Sequence, residues 1–522
     1  MARLGIDFGT TNTVVVAGDR GRYPVVPHLT DTGAGTVIRD VFPSQMAYDR
    51  VARSWLFGAA AERALLVPDA FERVASLPSL KRRLRDYADG ARVAVEGLDG
   101  GEDMLGLLTA YASAVRDSVR RSGVLPAGDP LEAVLTWPAN ANGAQRYVTR
   151  RAFREAGFTL LGTVGEPVAA AVEYADRLVH GNRTGARRLD LSVGIFDLGG
   201  GTFDASVVHV HGADYTVLAA GGIEALGGDD FDALLADLFA ARLGVARNLL
   251  YNWADAMLLA QARREKERLG SGAVRSLTLD PEDLGLPGAP VRVSVADYEA
   301  ALAGRLAPAL AAMRAVLTEA SRGGGAAPPP ASLYLVGGSC RLPVVARLLA
   351  QAFPGLKLVA TDKPFTATAM GAAIRAGERM VVREVFARHF GVLRLAECGR
   401  RDVFTPIFPA GTRLPASGEA PLVRRVSYAP RHNIGRLRFL ECAGVDAAGA
   451  PAEGLRAWSE LRFPYDRSLA SAARLDAEPI ADRDDLAGET VTETYTCDAD
   501  GIITVHVLRS DGASRIAEIF RN

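Results

Sequence analysis

Lysine is almost missing from this chain of 522 residues. It stands at positions 81, 266, 357 and 363 only, and nearly all other basic residues are arginine. Any role that needs an ammonium group therefore has four candidates. Cysteine is as scarce: Cys340, Cys398, Cys442 and Cys497 lie far apart and show no C-x-x-C spacing. Thiols in a reducing compartment are the simplest reading. An excess of one charge is missing too, since 60 basic and 61 acidic residues leave a net charge of −1. That balance excludes a general pull toward nucleic acid or anionic membrane, and short clusters such as Lys81-Arg82-Arg83 read as solvated faces. No uninterrupted apolar run approaches the ~20 residues of a membrane span. The first strand begins within a few residues of Met1, which leaves no room for a secretory leader. The expected location is the cytoplasm. A G-x-x-x-x-G-K-[ST] motif is also lacking, which excludes a P-loop nucleotide site.

What is present is ordinary in bulk and unusual in pattern. Hydrophobic residues make up 48% and charged residues 23%, as in a globular protein. The length predicts three to four domains at about 150 residues each. The distinctive stretch is Ser192–Asp204. An apolar strand delivers Asp197, three glycines follow (Gly199, Gly200, Gly201), then Thr202, and Asp204 begins a returning strand. Glycine reaches positive φ cheaply and lets backbone N–H groups approach a ligand. Successive N–H groups in such a turn hold an anion. The N-terminus repeats the design: a strand ending at Asp7, then Gly9, Thr10, Thr11 and Asn12, then the strand Val14–Ala17. Two hairpins 190 positions apart indicate an internal duplication. Each half offers one phosphate turn and one carboxylate, with a nucleotide between them.

This arrangement resembles the superfamily of actin, sugar kinases and heat-shock 70 ATPases. Further motifs resemble the heat-shock 70 family in particular. Phe42-Pro43-Ser44 precedes a strand, and Ser79-Leu80-Lys81-Arg82 matches a segment of the lobe above the nucleotide. A strand ends at Trp137-Pro138, and a helix opens on Ala144-Gln145-Arg146. Gly165-Glu166-Pro167 then leads into an alanine run suited to close helix packing. Gly227-Gly228-Asp229-Asp230-Phe231-Asp232 starts a further helix, Lys266 lies on the next one, and Val336-Gly337-Gly338-Ser339 with Arg341 matches an adenosine-binding element.

The resemblance implies an α/β fold: a duplicated, actin-like (ribonuclease H-like) two-lobed ATPase domain over residues 1–380, with halves of about 1–185 and 186–380. A linker over 381–392 and a small antiparallel β-sandwich over 393–522 would follow. It implies ATP/ADP and Mg²⁺ as cofactors, with Asp7 and Asp197 serving the metal. Asp7, Glu166, Asp197, Thr202 and Lys81 would be catalytic. Gly9, Thr10, Thr11, Asn12, Gly199, Gly200, Gly201, Gly228, Asp230, Arg263, Lys266, Gly337, Gly338, Ser339 and Arg341 would bind nucleotide. Pro138 and Arg146 would relay domain contact.

The pattern departs from the family at three points. Arg263 stands where a glutamate is usual; it either stacks on adenine or belongs to a helix held by charge pairs at spacing four. A second phosphate-side lysine has no match, and Arg92 is the nearest basic residue. The chain ends at Asn522, directly after the expected sandwich, so no helical lid is expected. The implied function is an ATP-dependent chaperone that slowly hydrolyses ATP to switch binding of unfolded or extended peptide clients. A J-domain co-chaperone and a nucleotide-exchange factor would be its partners, and neither nucleic acid nor membrane would be. An actin-fold small-molecule kinase and an ATP-dependent scaffold are the alternatives. In the C-terminal part, alternation predicts strands over Thr412–Pro415, Leu437–Leu440, Thr490–Thr496, Ile502–Leu508 and Ser514–Phe520.

Overall fold

A computed structural model describes residues 2–519 apart from 32–34, 68–69, 78, 89, 97, 140, 182–188, 251, 273, 323–326, 362, 378–380, 387, 397–400, 417, 447–448 and 471–474. Cys398, Phe520 and most of the polar loop expected after His180 lie outside the described residues. The chain divides into two compact units. Unit 1 comprises Met1–Arg83, Arg92–Ala139 and Ala152–Met380; unit 2 comprises Leu84–Ala91, Asn140–Arg151 and Val381–Asn522.

Unit 1 carries one sheet design twice. Strands β1 (Arg3–Phe8) and β2 (Asn12–Gly18) form an antiparallel hairpin, and β3 (Phe42–Pro43) continues beyond β2. On the other side of β1, β4 (Glu132–Trp137) and β5 (Thr159–Gly165) add in parallel. The second sheet starts from the antiparallel series β6 (Asp190–Leu198), β7 (Phe203–His211) and β8 (Asp214–Ile223). On the other side of β6, β9 (Ser332–Val336) and β10 (Lys357–Ala360) add in parallel. Both sheets thus have a hairpin at the centre and two parallel strands on one side. Their central strands are near-continuous apolar runs because both faces are covered.

The covering helices follow from the sequence pattern. They are α1 (Met104–Arg121), α2 (Gly143–Glu155), α3 (Glu166–Gly181), α4 (Gly228–Leu243), α5 (Asn252–Gly270), α6 (Val295–Arg322), α7 (Pro343–Ala352) and α8 (Ala367–Gly377). Helix α1 starts where Asp103 accepts the Gly106 N–H, which satisfies one of the unpaired donors of a helix start. Helix α6 is long and apolar enough to cross a membrane by length and composition. Its buried residues Tyr298, Leu302, Leu306, Ala309, Met313 and Val316 form one stripe that packs into the core under the second sheet. Small residues set the closest approach. A Cβ on Gly371 of α8 would lie 1.8 Å from the Ala169 carbonyl of α3, and one on Gly5 of β1 would lie 2.1 Å from the Ala369 carbonyl of α8. The close packing expected of the alanine run after Glu166 is therefore present.

Unit 2 is built from two antiparallel sheets. With β11 (His389–Ala396), β12 (Arg401–Phe408), β13 (Leu422–Tyr428), β14 (Ile434–Cys442), β15 (Arg456–Pro464), β16 (Val491–Cys497), β17 (Ile503–Arg509) and β18 (Ser514–Glu518), the orders are β12-β11-β14-β15 and β13-β16-β17-β18. Burial alternates along β16 and β17, as half-buried strands require. The buried face of β16 includes a charge: Glu493 is fully buried. Arg394 Nε donates to it at 3.2 Å and Tyr428 Oη at 2.6 Å, and Tyr495 donates as well.

Residues 140–151 also belong to this unit. The Gly143 N–H donates to Glu441 at 3.3 Å, and Arg150 bridges to Asp498 at 3.5 Å and Asp500 at 2.8 Å. Arg146 is buried here, with its Nη1 3.0 Å from where a Cβ on Gly501 would stand.

Two expectations are corrected. Thr412–Pro415 is not a strand; among the described residues its one ladder contact is an isolated bridge between Arg413 and Val385. The segment read as a linker becomes strand β11 from His389, with Phe390 and Val392 fully buried.

Candidate functional site

The site forms where the two glycine hairpins of unit 1 face each other. The turn between β6 and β7 has its carbonyls tied down. Gly199 O accepts from Gly228 N at 2.9 Å and from Ser339 Oγ at 2.9 Å; Gly200 O accepts from Asp229 N at 2.7 Å; Gly201 O accepts from Arg82 Nη2 at 3.0 Å. In the other turn, Ser44 Oγ donates to Gly9 O at 2.8 Å and Ser44 N to Thr11 O at 2.8 Å. Among the described residues, the amides of Thr10, Thr11, Gly200 and Gly201 have no hydrogen-bond partner. Buried carbonyls are thus satisfied while neighbouring donors remain available, which is the arrangement of an anion nest.

The reason for glycine differs from the expected one. Gly9, Gly199, Gly200 and Gly201 do not adopt positive φ. Three of them are required by proximity: a Cβ on Gly200 would lie 1.8 Å from Thr11 Oγ1, one on Gly201 2.4 Å from Thr10 Cγ2, and one on Gly9 2.3 Å from Asn12 O, whereas one on Gly199 would stand an ordinary 3.6 Å from Thr202 O. Among the glycines expected to bind nucleotide, Gly337, at φ 84°, is the one in the left-handed region, and it too is crowded: a Cβ there would lie 2.3 Å from Leu198 O.

Behind the turns lies a desolvated charge cluster. The strand ends deliver Asp7 and Asp197, and the four-residue turn places Asp204 directly opposite Asp197. Glu166 opens α3, buried rather than exposed, and Lys81 Nζ donates to its Oε1 at 2.8 Å. Thr136 Oγ1 donates to Asp7 Oδ1 at 2.8 Å. Burial, and next the charge of Glu166, push Asp7 up to about 6 against the pull of Lys81 and Thr136. Burial and Glu166 likewise push Asp204 up to about 7, while Lys81 and the Thr202 hydroxyl pull it down. Asp197 is held well above the usual carboxylate range by burial, then by Glu166, Asp204 and Asp7. Burial works against the Lys81 ammonium, but Glu166, Asp7 and Asp204 outweigh it and hold its pKa above the ordinary lysine value. One fixed ammonium does not balance four carboxylates. A cluster of hard oxygen donors short of positive charge fits a bound Mg²⁺.

The remaining expected residues gather beside the glycine turn. Lys266 donates to Gly228 O at 2.6 Å and pairs with Asp232 at 2.6 Å. Arg263 pairs with Asp229 at 2.8 Å and Asp232 at 3.2 Å. It is thus held chiefly across to α4, with Glu267 of its own helix adding a weaker attraction. Asp230 caps α4 through the Gly227 N–H at 2.8 Å. A Cβ on Gly338 would meet the Phe365 ring at 2.2 Å, and Arg341 Cβ comes within 3.4 Å of the Cβ position of Gly270. Arg92 stands apart, bonded to the carbonyls of Gly100 and Gly101.

Three participants were not singled out from the sequence: Asp204, Arg82 and Thr136. For Asp204 the signal existed, since a tight turn fixes which residue stands across from Asp197. For Arg82 and Thr136 the contacts span 119 and 129 positions and leave no local trace.

With this geometry in place, residues 127–395 match the family model described as Hsp70 protein. Among similar proteins, a "Chaperone protein HscA homolog" of Shewanella denitrificans is 30% identical over 388 residues, 72% of this chain and 58% of that relative. One of Delftia acidovorans is 33% identical over 387 residues, with the same shares. One of Azotobacter vinelandii is 32% identical over 438 residues, 79% of this chain and 64% of the relative. The chain spans less than two thirds of the length of these relatives. The chain belongs to the Hsp70 protein family.

Proposed function

We propose that unit 1 binds Mg²⁺ with ATP or ADP and slowly hydrolyses ATP, and that this turnover switches the binding of extended peptide clients by unit 2. The observation that carries the nucleotide reading is the pair of abutting turns with unpaired amides, backed by Asp7, Asp197, Asp204, Glu166 and Lys81. In this reading the amides of Thr10, Thr11, Gly200 and Gly201 hold the phosphates, and the hydroxyls of Thr11 and Thr202 extend that cradle. Asp7 and Asp197 hold Mg²⁺, which when bound neutralises charge on the terminal phosphates. Glu166 orients the attacking water and is itself fixed by Lys81, whose ammonium also faces the charge that develops on the transferred phosphoryl group. Gly228, Lys266, Arg263, Gly337, Gly338, Ser339 and Arg341 line the nucleoside side. No histidine stands in this cluster as a strong base, so hydrolysis is slow, which suits a switch.

The architecture that goes with this reading is an actin-like two-lobed ATPase in unit 1 and a β-sandwich in unit 2, its first strand beginning at His389. The chaperone part rests on the names of the relatives, and client peptides, a J-domain protein and a nucleotide-exchange factor are its proposed partners. Single-turnover hydrolysis of radiolabelled ATP tests the first part. Glu166→Gln should slow it ~100-fold or more while ATP still binds. Wild-type turnover in that variant would reduce Glu166 to a structural partner of Lys81. Release of a fluorescent apolar peptide, compared between ATP and ADP, tests the second part; equal rates would remove the switch.

A further inference from the structure

The hairpin β6–β7 has a second end that the nucleotide reading leaves unused. Its register runs from Leu198↔Phe203 at the glycine turn to Asp190↔His211 at the open end. Eight residue steps put that end about 26 Å from the turn. There, Asp190, His209 and His211 converge. Residues 209 and 211 are two apart on β7 and so share a face, and Asp190 lies opposite His211 on that same face. Asp190 Oδ1 is 2.8 Å from His209 Nε2 and 3.4 Å from His211 Nδ1. All three ligand atoms lie within 4.8 Å of one another.

We propose that Asp190, His209 and His211 form a binding site for a divalent transition cation of the zinc class. Two imidazoles and a carboxylate are a zinc donor set, and three protein ligands leave a fourth position for water. Tetrahedral ligands at bond lengths of about 2.0–2.1 Å stand about 3.3 Å apart, a spacing that the two separations to Asp190 already bracket. Side-chain exposure of 19% for His209 and 45% for His211 leaves an entry path. The platform is firm, because the same strand face continues inward as Phe196, Leu198, Phe203, Ala205 and Val207, all fully buried. Opposite His209 stands Ser192, whose buried hydroxyl has no hydrogen-bond partner. A cation here would fasten the open ends of the two strands whose closed end is the glycine turn. It is separate in position and chemistry from the hard-oxygen cluster at Asp7 and Asp197.

The test uses tag-free full-length protein stripped of metal and titrated with zinc chloride against a chromogenic chelator. One equivalent is expected at micromolar affinity or tighter. The double variant His209→Ala/His211→Ala should lose at least about tenfold in affinity, with ATP binding retained as the control for folding. Should the double variant fail to fold, Asp190→Asn, at an exposed carboxylate, repeats the test with the same expectation. Identical zinc titrations of wild type and variants would overturn the proposal, as would a wild type that binds no zinc.

Discussion

Gly200 stands so close to Thr11 that a single added methyl group decides whether the two turns can meet. Gly200→Ala would place its Cβ 1.8 Å from Thr11 Oγ1. Overpacking of this kind costs about 1–3 kcal/mol, and here it also separates the unpaired amides. ATP affinity measured by calorimetry should fall at least tenfold. Thr11→Gly in the same chain should return part of it, because residues in contact couple. Equal affinity in wild type and Gly200→Ala would mean that the turns do not act together.

Protons compete at the same site. Asp7 at about 6 and Asp204 at about 7 lie above the 3.8 of a free carboxylate. Between these values the native state holds more protons than the unfolded chain. The stability that this gives is present below 3.8 and is lost as pH rises through 6 and 7. Unit 1 without metal is therefore most strained by its own carboxylates above about 7. The rise in Tm on adding Mg²⁺ and ADP should be largest there and should shrink as pH falls through 7 and 6. A pH-independent rise would place the metal elsewhere.

At the scale of elements, α8 is the piece through which α3 and β1 approach. Gly371→Val would push a branched side chain into the Ala169 carbonyl, 1.8 Å from its Cβ. Urea midpoints should show a loss of at least about 3 kcal/mol, since neither backbone can yield easily. A loss below 1 kcal/mol would mean that the helices separate freely.

Elements like these were legible because their patterns are extreme: small residues spaced along a helix, or β-branched runs ending in Asp and Gly. The missed strands are the opposite case. Strand β13, Leu-Val-Arg-Arg-Val-Ser-Tyr, has three consecutive exposed residues, and β15 is half polar, so neither shows the alternation that marks a buried face. Thr412–Pro415 alternates but ends in proline, which cannot donate to a ladder. The charged cluster was half legible. Asp7 and Asp197 announce themselves by their glycines, whereas the ion pair of Lys81 with Glu166 spans 85 positions and was reached only through resemblance. Glu493 shows the same limit in unit 2. In sequence it is one polar residue in an alternating strand, yet in the fold it is a buried charge. Arg394→Met should destabilise unit 2 by about 3–5 kcal/mol by stranding that charge, whereas Arg394→Met with Glu493→Leu should lose less, about 1–3 kcal/mol, for the buried Tyr495 hydroxyl left without its acceptor. Chemical unfolding followed by tyrosine fluorescence distinguishes these, and equal losses in both variants would assign Arg394 a packing role alone.

For the whole molecule, the division into units does not follow the order of the chain. Unit 2 needs residues 84–91 and 140–151 as well as everything from Val381 onward. A fragment starting at Val381 would leave Glu441 without the Gly143 N–H and Asp498 and Asp500 without Arg150. Of these acceptors Glu441 is buried, and stranding a buried acceptor costs about 1–3 kcal/mol, while Asp498 and Asp500 are partly exposed and lose less. Hydrogen exchange at the Asp498–Gly501 hairpin should therefore be faster in that fragment than in the full chain; equal protection would show that the early segments add nothing. The same discontinuity sets a timetable for a growing chain. Arg150 leaves the ribosome some 350 residues before its aspartates at 498 and 500 exist. At about 5–20 residues per second that is a wait of roughly 20–70 s. Through that interval the early segments stand ready without their strands, and unit 2 closes only once the hairpin carrying Asp498 and Asp500 has been made.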